Sequence, residues 1–351
     1  MIKYLGSKRR LVPVLGELVS RTGASTAIDL FTGTTRVAQE FKRRGAGVWA
    51  VDSAAYSRVF AECYIAIDGR RVDRAELDAA IAHLQTLPGV DGYVTETFCR
   101  RSRYFQPFNG IRIDAIRDAI ESDFRASPLH PVLLTSLLEA ADRVDSTTGV
   151  QMAYLKEWAP RSFAPLTLRV PELLRGDGHT VSGDALELAP KLPEVDVAYL
   201  DPPYNQHRYF TNYHVWETLV RWDAPAHYGV ACKRLDARES RTRSPFNARA
   251  TMAPALAEVI RDLRARVMIV SISDESWVSL EALLEMCDAD SVEVLTFDSR
   301  RYVGAQIGIF NPSGERVGRV SHLRNREHLV IAGGRSEVRE IVAAAPAVAA
   351  L

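Results

Sequence analysis

The segment best equipped for chemistry is Tyr199-Leu200-Asp201-Pro202-Pro203-Tyr204. An apolar run ends at a carboxylate followed by two prolines, which fix φ and carry no amide hydrogen. In so rigid a turn the Asp201 carboxylate and a proline carbonyl offer two acceptors at fixed positions, and the Tyr204 ring offers a stacking face. That arrangement suits the two hydrogens of an exocyclic amine on a planar base. Such a nitrogen is a weak nucleophile because its lone pair is delocalised into the ring. Two acceptors that favour a tetrahedral nitrogen, held in line with an electrophilic methyl carbon, raise its reactivity by positioning and electrostatics. The plain alternative is that Pro202-Pro203 beside a tyrosine is a structural corner.

A second constellation precedes it. Ile28-Asp29-Leu30-Phe31-Thr32-Gly33-Thr34-Thr35 places a glycine turn just past an apolar run, and Asp52 ends the next run about twenty residues on, where an acid can bond ribose hydroxyls. Together these residues predict a cofactor containing adenosine. The further glycines of a dinucleotide fingerprint are absent, so a nucleoside without pyrophosphate fits better, and S-adenosylmethionine qualifies. A turn glycine and a solubilising strand-end acid would leave the same trace.

Both constellations need strands to hold them. Residues 26–31 and 47–52 read as buried strands flanking a helix over 36–44, a β-α-β unit. Similar runs at 180–184, 195–201, 267–273, 291–297 and 328–332 continue what reads as a parallel, doubly wound α/β sheet. The sheet is split in sequence, because residues 65–178 carry helical patterns at 73–87, 110–122 and 131–145 without strand alternation. The expected organisation is a sheet domain from 1–64 and 179–335, an inserted, mostly helical domain over 65–178, and a frayed or loosely docked tail at 336–351.

The 351 residues are 47% hydrophobic and 25% charged, with 44 basic and 44 acidic side chains, so any surface for a polyanion must be local. Cys63, Cys99, Cys232 and Cys287 fit neither metal-ligand spacing nor a disulfide framework, and no apolar run reaches membrane-spanning length. A soluble cytoplasmic protein with reduced thiols is expected, with neither a membrane nor a metal as partner.

The motifs, in their order, resemble the Dam-like, alpha-group adenine-specific DNA methyltransferases, and the likeness covers most of the sheet domain. Tyr4-Leu5-Gly6-Ser7-Lys8 is similar to that family's amino-terminal cofactor motif, Asp29 to Thr35 to its glycine loop, and Asp201 to Tyr204 to its catalytic tetrad. Residues 204–214 and 104–116 resemble one branch of the family. The resemblance implies a Rossmann-like methyltransferase sheet, S-adenosylmethionine as cofactor, and duplex DNA as substrate. It implies that Tyr4, Asp29, Phe31, Gly33, Asp52, Asp184 and Asp201 serve the cofactor. It also implies that Lys8 lies between cofactor and base, that Asp201, Pro202, Pro203 and Tyr204 hold the target adenine, and that the insert recognises the target. Thr35 departs from the family, which usually has a glycine there; a Cβ limits how closely the backbone approaches the cofactor.

For DNA contact, Arg161 and Arg169 stand among aromatics in residues 154–175, and Arg241 and Arg243 lie in Arg238-Glu239-Ser240-Arg241-Thr242-Arg243-Ser244-Pro245, which has no apolar period and reads as a mobile loop. A solvated surface loop is the plain alternative for both runs. His207 and His214 lack metal-ligand spacing. Ser271-Ile272-Ser273-Asp274-Glu275 suits either a wall of the base pocket or a strand-end turn, and residues 300–319 read as a hairpin. Two other functions remain open: a methyltransferase of the same sheet acting on RNA or a protein amide, and a catalytically silent DNA-binding relative. A cognate restriction nuclease or phage-defence proteins acting on the same site would be natural companions of the leading reading.

Overall fold

The computed structural model describes residues 2–6, 8–204, 206–300 and 324–343. Seven strands form one sheet: β1 Thr26–Leu30, β2 Gly47–Asp52, β3 Gly178–Ser182, β4 Val195–Leu200, β5 Ala265–Ser273, β6 Ser291–Arg300 and β7 Arg324–Gly333. They lie in the order β3-β2-β1-β4-β5-β7-β6. The sheet is α/β and doubly wound, and its order reverses between β1 and β4, where such sheets open a crevice at the carboxyl ends of the strands. Tight register brings those ends together, with Leu30 beside both Val51 and Leu200, and Asp52 beside Ser182.

The expectation of a wholly parallel sheet is corrected at β7, which runs antiparallel to both β5 and β6. Its apolar run Leu329-Val330-Ile331 is buried on both faces, and such a pattern carries no sign of strand direction. The reversal matters for the site, because it brings the amino-terminal part of β7 to the ligand edge, Glu327 opposite Ser273.

Alternate residues of each strand enter two separate cores. Ile28, Leu30, Ala198 and Leu200 pack with Met252, Leu256 and Leu283. Ala27, Val48, Ala50 and Val197 pack with Leu15 and Phe41, and the same buried cluster continues into Leu77, Ile113 and Leu133 of the segment between β2 and β3. That segment holds the helices Arg74–Thr86, Pro107–Phe124 and His130–Val144 and, among the described residues, no strand. Asp73 caps the first by accepting from the Ala75 and Glu76 amides, and Pro107 opens the second where a missing amide costs nothing. The helix Arg335–Ala343 docks Val338 and Ile341 into the core, so the start of the tail is held; residues 344–351 lie outside the described residues, as does most of the hairpin expected at 300–319.

Candidate functional site

At the sheet's switch point lies a cavity of about 310 Å³ whose wall includes Tyr4, Phe31, Asp52, Asp184, Asp201 and Pro203. The two motifs read from sequence therefore border one space. Pro202, Tyr204, Lys8, Asp29 and Gly33 do not line it.

On the β1–β3 side, each carboxylate is held by nearby backbone. Asp29 accepts from the Ala38 amide and the Thr32 hydroxyl, at 2.9 and 2.7 Å, tying the loop to the start of the next helix. Burial raises its carboxyl to about 7 despite those bonds. Asp52 accepts the Gly33 and Ala54 amides at 2.8 and 2.9 Å, and burial raises its pKa as well. Asp184 accepts the Leu186 amide and caps a short helix. Gly33 is required twice over: its φ is +53°, and a Cβ there would sit 3.0 Å from the Tyr4 ring. Tyr4 itself is stacked on Tyr213 and Tyr209, with centroids 4.7 and 5.3 Å away, and its hydroxyl is 3.2 Å from that of Tyr56.

Thr35 stands in the left-handed region, φ +61°, at the place where the resembling family has glycine. A Cβ there costs on the order of 1–2 kcal/mol. The side chain offsets part of this by donating to the Thr34 carbonyl and accepting from Gln39. Being fully buried and absent from the cavity wall, it does not obstruct the cavity. Phe31, also at positive φ, does face the cavity, edge-on to Phe246 at 5.0 Å.

On the β4–β7 side, charges meet charges. The buried Lys8 ammonium lies 2.9 Å from Asp201 and 2.7 Å from Glu327, and the Ser271 hydroxyl donates to the same Glu327 oxygen at 2.7 Å. Burial opposes the charge on Lys8, but the two carboxylates outweigh it and hold its pKa well above the ordinary value. Burial raises Asp201 to about 6, with Lys8 pulling it down and Glu327 pushing it up. Tyr204 is pushed up to about 12 by burial, its hydroxyl bonded to Ser273 and its ring centroid 5.7 Å from the ammonium. The segment from Ser271 to Ser273 thus borders the tetrad. Glu327 was missed by sequence reading; its one signal was an acid at the head of an apolar strand.

The expected DNA contacts fare unequally. Arg161 is bound to Asp145 at 2.6 Å and to the Thr147 carbonyl, an internal clamp rather than a free cation, whereas Arg169 is exposed. Arg241 and Arg243 are exposed and line the cavity mouth, with Arg241 paired to Glu239. Their loop is not featureless but built of short 3₁₀ turns, and Arg208 ties it down through the Ala237 carbonyl. His214 is buried between the Tyr104 hydroxyl and the Gln151 carbonyl, joining the insert to the helix after the tetrad.

Comparison with known proteins identifies the family. The sequence profile of the D12 class N6 adenine-specific DNA methyltransferases matches residues 4–283. The type II methyltransferase M.NlaIII of Neisseria lactamica is 31% identical over 301 residues, covering 81% of this chain and 87% of that protein. M.CviAII, a type II methyltransferase of Paramecium bursaria Chlorella virus 1, is 30% identical over 295 residues, 79% of this chain and 85% of its own. The modification methylase StsI of Streptococcus sanguinis is 29% identical over 310 residues, which are 83% of this chain but 47% of that longer protein. With the profile running from the Tyr4 segment through the Asp201 turn, the chain belongs to the D12 class of N6 adenine-specific DNA methyltransferases, and its reaction is site-specific methylation of adenine in DNA.

Proposed function

We propose that the methyl donor is S-adenosylmethionine bound in the cavity, and that the target adenine meets Asp201, Pro202, Pro203 and Tyr204 after rotating out of the duplex. The observation that carries this reading is that one cavity touches both Asp52 and Asp184 and the Asp201–Pro203 turn. Its size suits a nucleoside-sized ligand. Asp52 uses one lone pair of each oxygen on backbone amides, which leaves acceptors for ribose hydroxyls. Asp184 would read the adenine of the donor, Tyr4 and Phe31 would flank it, and Asp29 and Gly33 would act from behind by fixing the loop. When bound, such a donor supplies an electrophilic methyl on a sulfonium. The Asp201 carboxylate and a proline carbonyl would accept the two amine hydrogens, Tyr204 would stack on the base, and Lys8 would fix Asp201 in place.

The helical segment 65–178 is proposed as the target-recognition domain, since every group assigned to chemistry lies outside it. A partner nuclease, or a phage-defence set sharing the site, is the setting suggested by relatives named as type II methyltransferases and modification methylases. The test is long-read sequencing of plasmid DNA from a host without adenine methylation. The wild-type chain should mark adenines in one short sequence, an exchange of residues 65–178 with a relative should change that sequence, and Asp201→Ala should mark none. Unmodified DNA from cells producing the folded wild-type protein, or marked DNA from the variant, would contradict the assignment.

A further inference from the structure

The Lys8 ammonium is shared. Asp201 and Glu327, brought together from β4 and β7, each lie within 3 Å of the same nitrogen, and Ser271 secures Glu327 from the other side. The separation of Lys8 and Glu327 is 319 residues along the chain, so the contact exists only because β7 runs against its neighbours. We infer that Glu327 is a positioning residue for methyl transfer: it holds the Lys8 ammonium partly off Asp201, so that Asp201 both accepts from the target amine and takes up its proton. This rests on the reading of Asp201 as the amine acceptor.

The proton must go somewhere. As the N6–carbon bond forms, the carbon–sulfur bond of a methylsulfonium donor breaks and its electron pair goes to sulfur. The nitrogen, now with four bonds, releases one hydrogen as a proton to an Asp201 lone pair, which later passes it to water. With Glu327 present, the cluster and the donor sulfur together stay neutral before and after the transfer. Two carboxylates and one ammonium carry a single net negative charge, which offsets the sulfonium before transfer. Afterwards the sulfur is neutral, Asp201 is protonated, and Lys8 faces Glu327 as a neutral pair. Without Glu327 the ammonium would bind Asp201 alone, making it a weaker base at the moment a base is needed. The raised pKa of Asp201, about 6, is consistent with this role. The other ionisable groups facing Asp201 are Tyr199, Tyr204 and Tyr209, whose hydroxyls burial keeps protonated, and Asp29.

Removing the Glu327 charge lets Lys8 stabilise the Asp201 carboxylate more strongly, so the Asp201 titration midpoint falls. In protein labelled with carboxyl-¹³C aspartate, with Asp201→Asn identifying the resonance, Glu327→Gln should lower the midpoint by on the order of one pH unit. Single-turnover methylation of unmodified plasmid DNA should show its acid limb displaced equally, with a plateau reduced roughly three- to tenfold. Ser271→Ala keeps the charge but frees Glu327 to bind Lys8 more fully, and should move the midpoint upward by a smaller amount; this arm decides the matter should the glutamine variant fail to fold. A midpoint unmoved in folded Glu327→Gln, or one that does not rise in Ser271→Ala, overturns the inference while leaving the Asp201 assignment standing. Full activity in Asp201→Asn would instead overturn the reading beneath it.

Discussion

The carboxylates along β1–β3 and the one on β4 sit at the same sheet edge, yet they are held by different means. Asp29, Asp52 and Asp184 are satisfied by backbone amides or hydroxyls on adjoining loops, whereas Asp201 is satisfied by an ammonium that a second carboxylate shares. Backbone amides do not titrate, so the first arrangement is a fixed cradle suited to binding. An ion-paired carboxylate changes its proton affinity whenever a neighbouring charge changes, and this suits a step in which charge moves. Under the proposed function, one edge thus divides its work, with recognition on one side of the switch point and reaction on the other.

Substitutions should separate the two sides. The largest effect belongs to the reacting side: Asp201→Ala should cut methyl incorporation into plasmid DNA by roughly 10³-fold or more, the scale expected when an amine loses a positioned acceptor. On the binding side, Asp52→Ala should weaken S-adenosylmethionine binding by about 1–3 kcal/mol, from polar groups left unpaired in a partly buried site, while the rate at saturating donor is kept. A full loss of rate at saturation would erase the division.

Smaller effects refine it. Asp29 titrates near 3.8 when unfolded and about 7 when folded, so the native state keeps a proton that the unfolded chain releases. The stability it contributes is present below the lower value and lost as pH rises to the upper one. Thermal melts of Asp29→Asn across that window should therefore fall less steeply with pH than those of wild type; parallel curves would contradict it. The smallest effect is expected at the cavity mouth. Replacing Arg241 and Arg243 by Ala should lower the slope of log DNA affinity against log salt by about 0.9 for each phosphate that is no longer neutralised, without altering the sequence methylated. An unchanged slope would assign both arginines to solvent.

Legibility follows the same division. On the binding side, the glycine turn and the Asp52 strand end were legible from local spacing, whereas Asp184, far along the chain, was given only by the family resemblance; the structure brings Asp52 and Asp184 to one cavity. The helices of the insert were readable from their apolar period, to within three residues at each end. Lys8 and the Asp201 turn were recognised as parts, but their meeting with Glu327 was not, because burial on both faces hides strand direction, and strand direction alone decides where Glu327 falls. Likewise Arg161 read as a cation free for DNA, since Asp145, its partner, enters from a different turn of the insert.

The division is tested most directly by calorimetric titration of S-adenosylmethionine into Asp201→Ala and Asp52→Ala side by side, each paired with its maximal methylation rate. The expected result is a double dissociation: Asp201→Ala binds the donor much as wild type does but transfers no methyl, and Asp52→Ala binds it weakly but transfers at a normal rate once saturated. Donor binding abolished in Asp201→Ala and preserved in Asp52→Ala would contradict the division.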